Sequence, residues 1–376
     1  MAHTVFVGLS GGVDSAVSAA LLKEQGHKVV GVFIKIWQPE FIECTWQRDR
    51  LDAMRVAAAL GIPFKEIDLS EEYKNEVVTK MISSYEAGET PNPDVLCNRS
   101  IKFGAFSKWA RAEGADVVAT GHYAQIKKGE YGPELWRGAD ASKDQSYFLY
   151  QLSQSDLSRA AFPVGAMTKK QVRAYAKAHS LPVAQKPDSQ GLCFVGDVSM
   201  RDFLKRFITV ADGRVTDKKG HIVGVHEGAA LYTIGQRHGF TVTKKQLAKT
   251  PHYVTGIDTK NNIVIVSANR SDAARASIHV PDMHWISGAA PSFLTGLAVQ
   301  TRYRETPLAI KLRSEAKRAY IDFSEPHVVA PGQSAVVYDG GRCLGGGIIA
   351  KDIAHTVAST KSKETGKQKV MPFAAK

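Results

Sequence analysis

The residues of this chain best suited to chemistry form a short glycine-rich loop near its start. Gly8-Leu9-Ser10-Gly11-Gly12-Val13-Asp14-Ser15 follows the apolar run Thr4-Val5-Phe6-Val7. The apolar run predicts a strand, and the residues after the loop predict a helix. Glycines let backbone N–H groups approach phosphate oxygens, and the positive end of the helix faces the same anion. The pattern therefore predicts a phosphate-binding site.

This loop differs from the two commonest nucleotide-binding loops. A Walker loop requires a lysine that residues 8–15 lack, and the Rossmann pattern Gly-x-Gly-x-x-Gly is also missing. Residues 10–15 instead resemble the PP-loop, Ser-Gly-Gly-x-Asp-Ser, of N-type ATP pyrophosphatases. That resemblance implies cleavage of ATP between the α and β phosphates, adenylation of a substrate oxygen and release of pyrophosphate. A turn that only joins a strand to a helix is the structural alternative, but five specified residues in a six-residue pattern argue against it.

Cys97 lies where a thiol can be reactive. It follows the turn-rich segment 90–96, and a helix is predicted to begin at about Asn98. A helix N-terminus, with Arg99 and Lys102 nearby, would lower the pKa of this thiol, and the thiolate is the reactive form. A cysteine packed at the junction of loop and helix is the structural alternative, and the position favours the reactive interpretation.

Cys193 is the second candidate, because it lies in the polar, turn-rich segment 186–194 and such loops often carry chemistry. For Cys44 and Cys343 the neighbours favour simple packing. No two cysteines form Cys-x-x-Cys, and no Cys/His cluster has zinc spacing, so no metal ligands are predicted. Two loop thiols in one adenylating domain predict sulfur transfer. One thiol carries sulfur as a persulfide, and the other attacks the activated carbon or takes up the spent sulfur in a disulfide.

The composition favours a protein that binds a polyanion. The chain has 376 residues with a formal net charge of +12, 44% hydrophobic and 23% charged residues. The excess of positive charge favours nucleic acid as a partner, and a basic surface kept for solubility is the alternative. No apolar run approaches the roughly 20 residues of a membrane span, and no signal-peptide pattern begins the chain. We therefore expect a soluble, cytoplasmic protein without a membrane partner.

The first 200 residues alternate strand and helix patterns, which is typical of an α/β doubly wound parallel sheet with crossover helices. Strands are predicted at 4–9, 28–36, 64–69 and 116–120. Helices are predicted from about 14 to 25, and over 49–60, 71–85, 98–113, 168–179 and 200–207. Asp14 and Ser15 could cap the first of them. The glycine-rich loop then lies at the carboxyl end of the first strand.

The second half of the chain has a different pattern. Short apolar alternations at 254–257, 263–267, 298–303, 309–312, 319–323 and 334–338 are separated by Gly, Pro, Asn and Asp, as in all-β domains. We predict an adenylation domain over 1–204, a small β-rich linking domain over 205–275 and a C-terminal β-barrel over 276–355. Residues 356–376 are lysine-rich and are predicted to form a mobile tail.

Separate blocks along nearly the whole chain resemble one family, the tRNA-specific 2-thiouridylases, which convert a wobble uridine to 2-thiouridine. The resemblance is carried by residues 8–15, 92–94 with Cys97, 121–124, 143–147, 188–190 with Cys193-Phe194, 232–236, 302–303, 331–333 and 343–347. Many blocks in the same order make a chance match very improbable. The tail lies outside the matching region.

The resemblance implies a role for each matching residue. Cys97 would be the nucleophile and Cys193 the persulfide carrier. ATP would be bound by Gly8, Leu9, Ser10, Gly11, Gly12, Val13, Asp14 and Ser15, with Ile34 and Gly121 beside the adenine; the family often has Met at the position of Ile34. The target base would be contacted by Asn92, Pro93 and Asp94. The tRNA would be contacted by His122, Lys143, Asp144, Gln145, Arg302, Tyr303 and Gln333.

Several of these residues have plain structural alternatives. Asp94 could accept from a uracil N–H or cap a turn, and His122 could be a structural histidine at a strand end. Mg²⁺ is expected to accompany ATP, with Asp14 as a partner or only as a helix cap. The sulfur donor would be a cysteine desulfurase or a relay protein.

Two other functions are compatible with parts of the pattern. A PP-loop amidotransferase or ligase acting on a small substrate would need a glutaminase site or an ammonia channel, and the chain has no glutaminase Cys-His-Glu set. A non-catalytic RNA-binding protein would not need an intact PP-loop. Thiolation of tRNA, with AMP and pyrophosphate as products, is the leading hypothesis.

Overall fold

A parallel sheet forms the first part of the molecule. The structure is a computed structural model that describes residues 2–41, 46–188, 198–244, 249–293, 295–315 and 317–351. Five strands pair in the order β3-β2-β1-β4-β7. Their bounds are β1 Thr4–Gly8, β2 Lys28–Lys35, β3 Phe64–Asp68, β4 Val117–Ala119 and β7 Ala160–Ala161. Since β1 pairs with β2 on one side and β4 on the other, the chain reverses its winding direction there, at the point where such sheets bind ligands.

Helices cover both faces of this sheet, which confirms the doubly wound fold. One face packs in a core with α1, α2 and α8, and the other packs with the helical segments between residues 70 and 112. The α-helices are α1 Val13–Glu24, α2 Trp46–Leu60, α3 Ser70–Tyr73, α4 Lys80–Glu86, α5 Pro93–Leu96, α6 Ser107–Ala112, α7 Gln154–Leu157, α8 Lys169–Ala178 and α9 Met200–Leu204. Short 3₁₀ turns occur at Ser146–Phe148, Pro163–Ala166, Ala229–Leu231 and Arg270–Ala273.

Two π-helical segments join neighbouring α-helices into longer rods. Lys74–Thr79 connects α3 to α4, and Cys97–Phe106 connects α5 to α6. The second rod begins at Pro93, whereas the sequence predicted a start near Asn98. The prediction was wrong because Pro93 fits the first helical position and Asn92 caps it, accepting from the N–H groups of Asp94 and Val95.

The second sheet follows α9 and has the strand order β10-β9-β8-β12-β11. Its strands are β8 Gly213–Thr216, β9 Ile222–His226, β10 Thr241–Val242, β11 Tyr253–Asp258 and β12 Ile263–Ser267. The apolar side chains of β12, Val264 and Val266, are buried together with Val215 of β8. This small β-rich unit shares its core with the helices on one face of the parallel sheet.

The third sheet has nine strands, in the order β13-β17-β16-β15-β18-β19-β6-β5, with β14 paired to β19. Its C-terminal strands are β13 Ala274–Val280, β14 His284–Trp285, β15 Leu297–Gln300, β16 Leu308–Glu315, β17 Arg318–Val328, β18 Ser334–Asp339 and β19 Arg342–Ile348. These strands agree with the all-β pattern of the sequence.

A hairpin from the first half of the chain completes this third sheet. Strands β5 Ala124–Lys128 and β6 Pro133–Arg137 pair with each other, and β6 pairs with β19. This hairpin was not predicted, because β19, the strand that it pairs with, lies about 200 residues further along the chain. A separate core that includes Leu135, Tyr147, Tyr338 and Cys343 lies at this junction.

No helix within the described ranges is both long enough and apolar enough to cross a membrane. Cys44, residues 189–197 with Cys193, and the predicted tail at 356–376 lie outside the described residues.

Candidate active site

The glycine-rich loop ends β1 and begins α1 as predicted, but the expected capping residues do not cap the helix. The N-cap is Gly12, and among the described residues no side chain caps the first turn. The Asp14 carboxylate accepts instead from the Tyr123 hydroxyl at 2.7 Å, and the Ser15 hydroxyl donates to the Gly12 carbonyl at 3.1 Å. The N–H groups of the first turn therefore keep their capacity to bind an anion.

Two glycines keep the backbone around the first turn of α1 free of side chains. Gly11 has a φ of +71°, and a Cβ there would collide with the backbone carbonyl of Asp49. A Cβ on Gly121 would lie 2.7 Å from the Ser15 nitrogen, so only glycine allows this close approach of the β4 loop to the helix N-terminus. On the other side, a Cβ on Gly8 would lie 3.6 Å from Ile34 Cδ1. The structure thus brings Ile34 and Gly121 to the loop, and their contact with adenine stays a prediction.

A network of charges borders the loop. Lys169 Nζ lies 2.7 and 2.8 Å from the two Asp14 oxygens and 2.9 Å from Asp188. Asp188 also accepts from Lys143 at 2.7 Å and from Arg173. Burial would raise the pKa of Asp188, but the hydrogen bonds from Lys143 and Lys169 hold it well below its ordinary value.

Sequence reasoning missed Lys169. Its position is fixed by Thr168, which caps α8 in a reciprocal capping box with Gln171. The cap was recognisable from the sequence, but nothing local connected the first residue of α8 with Asp14, 155 residues earlier. Asp188 is five residues before Cys193 in the sequence. The network therefore includes a residue close in sequence to the second candidate thiol.

Cys97 is in the second turn of its helical rod and is only 7% exposed. The prediction that it lies at a helix N-terminus was therefore wrong, because α5 begins four residues earlier. The helix brings Cys97 into the core that contains Phe6 of β1, Ile101 and Phe106. The ring of Phe106 lies 3.8 Å from the position that a Cβ on Gly8 would occupy. The rod that carries Cys97 is thus packed directly against the start of the phosphate loop.

The charge of Lys102 acts on Asp94, and its side chain reaches His122 in the loop after β4. Burial raises the pKa of Asp94, against the opposing effect of the positive charge on Lys102. Lys102 Nζ lies 3.4 Å from His122 Nε2, and His122 Nδ1 lies 2.7 Å from the Thr120 hydroxyl. Asn92, not Asp94, caps the helix, so the Asp94 carboxylate is not used as a cap.

His122 is 6% exposed and its ring lies near those of Phe103 and Phe162. Burial, reinforced by the charge on Lys102, lowers the pKa of His122 well below its ordinary value. A neutral, enclosed imidazole fits the structural alternative for this residue better than a direct contact with tRNA.

The segment before Asn92 is held by the other two sheets. Gln333 donates from Nε2 to the carbonyls of Thr90 at 2.7 Å and Pro91 at 3.3 Å. The Thr90 hydroxyl donates to that of Thr233 at 2.9 Å. The loop predicted to contact the target base is therefore fixed at the junction of all three sheets.

The remaining predicted tRNA residues divide into two groups. Asp144 is 8% exposed and accepts from Arg137 and from the Gly138 N–H, and Gln145 accepts from the Tyr123 N–H at 3.0 Å. Lys143, Arg302 and Tyr303 are half-buried. Arg302 donates to the Ile234 carbonyl at 3.2 Å, and the Tyr303 ring lies 4.4 Å from that of Phe148. The half-buried group retains surface for a ligand.

Three family models match consecutive parts of the chain. They are described as tRNA methyl transferase HUP domain, over residues 3–197, tRNA methyl transferase PRC-barrel domain, over 201–268, and Aminomethyltransferase beta-barrel domain, over 275–349. A tRNA-specific 2-thiouridylase MnmA from Nitrosomonas eutropha is 44% identical over 357 residues, covering 93% of this chain and 99% of that protein. The chain belongs to the tRNA-specific 2-thiouridylase family.

Other relatives agree with this assignment. The protein of the same name from Lacticaseibacillus paracasei is 42% identical, covering 94% of this chain and 95% of its own length. A solved structure of a 4-thiouridine synthetase–RNA complex with bound ATP is more distant: it is 18% identical, with a TM-score of 0.34 over 54% of this chain and 50% of that one. The family assignment accordingly depends on the sequence relatives.

The first family model includes residues that belong to two different sheets of the structure. Its first model spans both the phosphate loop and the β5–β6 hairpin, although the hairpin pairs in the third sheet. Within the described ranges, no three side chains from His, Cys, Asp and Glu are grouped so as to hold a metal ion. The candidate site combines the N–H groups at the start of α1, a lysine–carboxylate network and a buried thiol.

Proposed function

We propose that this protein is an ATP-dependent tRNA 2-thiouridylase, a sulfurtransferase that replaces O2 of the wobble uridine with sulfur. The observation that carries the proposal is the packing of the Cys97 rod against the uncapped phosphate loop in a chain of this family. The curated relatives have the name of this activity, and the first of them is matched over 99% of its length. An amidotransferase or ligase acting on a small substrate is not favoured, because the relatives named as thiouridylases match all three parts of the chain.

The phosphate loop would hold ATP with its phosphates at the N-terminus of α1. The N–H groups of Val13, Asp14 and Ser15 point to that site, and Lys169 adds a positive charge beside it. Adenylation joins the α phosphate to O2 of the uridine and releases pyrophosphate. The modified oxygen then leaves with AMP when sulfur attacks C2, so the bond to oxygen breaks as the bond to sulfur forms.

The described residues accommodate Mg²⁺ only together with the phosphates of ATP. Asp14 is the carboxylate nearest the loop, and Lys169 and Tyr123 already occupy its oxygens. Mg²⁺ commonly binds one or two carboxylates together with substrate phosphates, and it would neutralise the charge that develops on them. Asp14 would exchange Lys169 for the cation, and Lys169 would then be available to the phosphates.

The target base would enter beside the loop 92–94. Asp94 can accept from the uracil N3–H when it is ionised, and the Asn92 cap fixes the first turn of the helix that presents it. Cys193 would carry the sulfur as a persulfide, and Cys97 would be the nucleophile. The outer persulfide sulfur would attack C2 and displace AMP. The Cys97 thiolate would then attack Cys193 Sγ and break its bond to the transferred sulfur, which leaves on the base as 2-thiouridine. The resulting Cys97–Cys193 disulfide is returned to two thiols by a thiol reductant. The sulfur would come from a cysteine desulfurase or a relay protein, in the cytoplasm.

Mass spectrometry of nucleosides from tRNA, incubated with purified protein, ATP and a persulfide donor, tests the proposal. We expect 2-thiouridine from the natural protein and none from Cys97→Ser or Cys193→Ser. Cys343→Ser is the matched control, because burial raises the pKa of that thiol to about 12 and it lies in the core at the hairpin junction. Pyrophosphate release that is independent of tRNA would contradict the proposal.

A further inference from the structure

The turn that carries Arg302 and Tyr303 connects β15 to β16, and a carboxylate holds its backbone. Glu305 Oε2 accepts from the Thr301 N–H at 2.9 Å, from the Thr301 hydroxyl at 2.8 Å and from the Arg302 N–H at 3.1 Å. The Glu305 N–H in turn donates to the Arg302 carbonyl at 3.2 Å and closes the turn. Glu305 therefore fixes the backbone both at Arg302 and directly before it.

The conformation of this turn needs such support. Arg304 has a φ of +62°, in the left-handed region that residues other than glycine seldom adopt. A residue in that region persists only where the surrounding structure holds it there, and such residues are found at ligand clamps. Because Glu305 directly follows Arg304, the bonds that Glu305 makes keep Arg304 in this conformation.

Glu305 is itself fixed from a neighbouring strand. His327 of β17 has its Nε2 2.8 Å from Glu305 Oε1, and the two side chains are 25% and 18% exposed. With His327 at one oxygen and the turn at the other, the carboxylate cannot rotate without breaking bonds at both oxygens. The fold therefore determines where Glu305 presents its acceptor.

The charge of Glu305 opposes the binding of a polyanion. It lies in a groove whose lining includes three basic side chains, Arg137, Lys143 and Arg304. A carboxylate at such a place repels phosphates, so its presence needs a compensating gain. The bonds to the turn supply that gain, because Thr301 is fully buried and its donors need a partner inside the protein.

We propose that Glu305 is a positioning residue for tRNA binding, which holds the turn so that the side chains of Arg302 and Tyr303 face the RNA. The inference rests on the proposed function, because it takes Arg302 and Tyr303 to contact tRNA. Arg302 uses Nη2 to donate to the Ile234 carbonyl, and its other guanidinium donors remain for phosphate oxygens. His327 acts one step further away, through Glu305.

Binding of an anticodon stem-loop, measured by fluorescence anisotropy over a range of salt concentrations, tests the proposal with two neutral substitutions. Glu305→Gln keeps a carbonyl oxygen for the turn, and its NH₂ would face His327 Nε2, which a neutral histidine can leave unprotonated. The affinity of this variant should equal or exceed that of the natural protein. Glu305→Leu removes the acceptor and should weaken binding at least about tenfold and lower the salt slope by about 1, as for one lost phosphate contact. Both substitutions remove the same charge, so different results separate the acceptor from the charge.

A double-mutant cycle shows whether Glu305 acts through the turn. In a protein with Arg302→Ala and Tyr303→Ala, adding Glu305→Leu should weaken binding by less than about twofold, because the side chains that it positions are gone. Glu315→Leu removes a carboxylate at the far end of β16 and is the control that should leave the affinity and the salt slope unchanged. Equal affinities of the Leu and Gln variants, or an equal effect of Glu305→Leu in both backgrounds, would overturn the proposal.

His327→Phe tests the same set of bonds if Glu305→Leu folds poorly. It keeps a ring on β17, removes the contact with Glu305 Oε1, and should weaken binding by about two- to fivefold. The affinity for ATP, measured by calorimetry, should stay unchanged in all of these variants, and a parallel loss of ATP affinity would show a general structural role and overturn the proposal. The 2-thiouridine assay keeps the two proposals apart. A natural protein that binds the stem-loop in this Glu305-dependent way but never thiolates would contradict only the proposed activity.

Discussion

Replacing Gln333 separates two roles for this residue. The family resemblance implies a contact with tRNA, whereas in the structure Gln333 donates to the carbonyls of Thr90 and Pro91. Gln333→Leu would remove both bonds from the segment that precedes Asn92. Loss of a hydrogen bond costs about 1 kcal/mol net, and a buried carbonyl left without a partner costs about 1–3 kcal/mol.

The cost of the lost hydrogen bonds converts into a change in the rate of thiolation. If the loop must be held in place for the base to reach Cys97, a cost of about 1–3 kcal/mol lowers the rate by about 5- to 150-fold. Gln333→Glu should be at least as damaging, because a carboxylate oxygen would face the Thr90 carbonyl, and both atoms are acceptors. The affinity for tRNA should stay unchanged in both variants.

The assay is single-turnover thiolation with saturating tRNA and ATP, combined with a separate measurement of the Kd for tRNA. Gln125→Leu is a matched control: Gln125 is half-buried and donates to the Arg137 carbonyl at 2.8 Å, far along the chain from the base-binding loop. We expect a slow rate and a normal Kd for Gln333→Leu, and normal values for the control. A raised Kd with an unchanged rate at saturation would refute the positioning argument and favour direct tRNA contact.

Three further predictions concern the site and its surroundings. Asp188→Asn should lower the free energy of unfolding above about pH 4; because the folded pKa is depressed below 3.8, this deficit should shrink as the pH falls below that value, which urea denaturation between pH 7 and pH 3 will show. Gly121→Ala should weaken ATP binding at least tenfold by calorimetry, since its Cβ would lie 2.7 Å from the Ser15 nitrogen, and an unaltered affinity would contradict the close approach. Cys343→Ala should leave thiolation unchanged and should lower the urea midpoint, because it leaves a small cavity in the junction core.

The sequence identified the phosphate loop and most strand positions because both depend on local patterns. The loop needs only its own residues, and the strand at 263–267 is bounded by turn residues and agrees with β12, Ile263–Ser267. The start of the Cys97 rod also depends on local residues, since the Asn92 cap and Pro93 mark it. It was predicted too late because residues 90–96 have the composition of a turn.

Long-range relations could not be predicted in the same way. The contact of Lys169 with Asp14 and the enclosure of His122 by Phe103 and Phe162 depend on tertiary packing, which leaves no periodic signal in a single chain. The same holds for Gln333, whose type fits an RNA contact as well as it fits a bond to the chain itself. Elements with a clear local pattern were therefore predicted well, and contacts that depend on another part of the fold were not.

The hairpin of β5 and β6 has a consequence for how the protein is made. Its outer edge has no partner until Arg342 and Cys343 leave the ribosome, since those residues pair with Trp136 and Leu135. During synthesis the nascent first half therefore exposes an open strand edge, which is where chains aggregate or recruit chaperones. A gene truncated after residue 197 should yield insoluble protein, and supplying the missing half in trans should recover it.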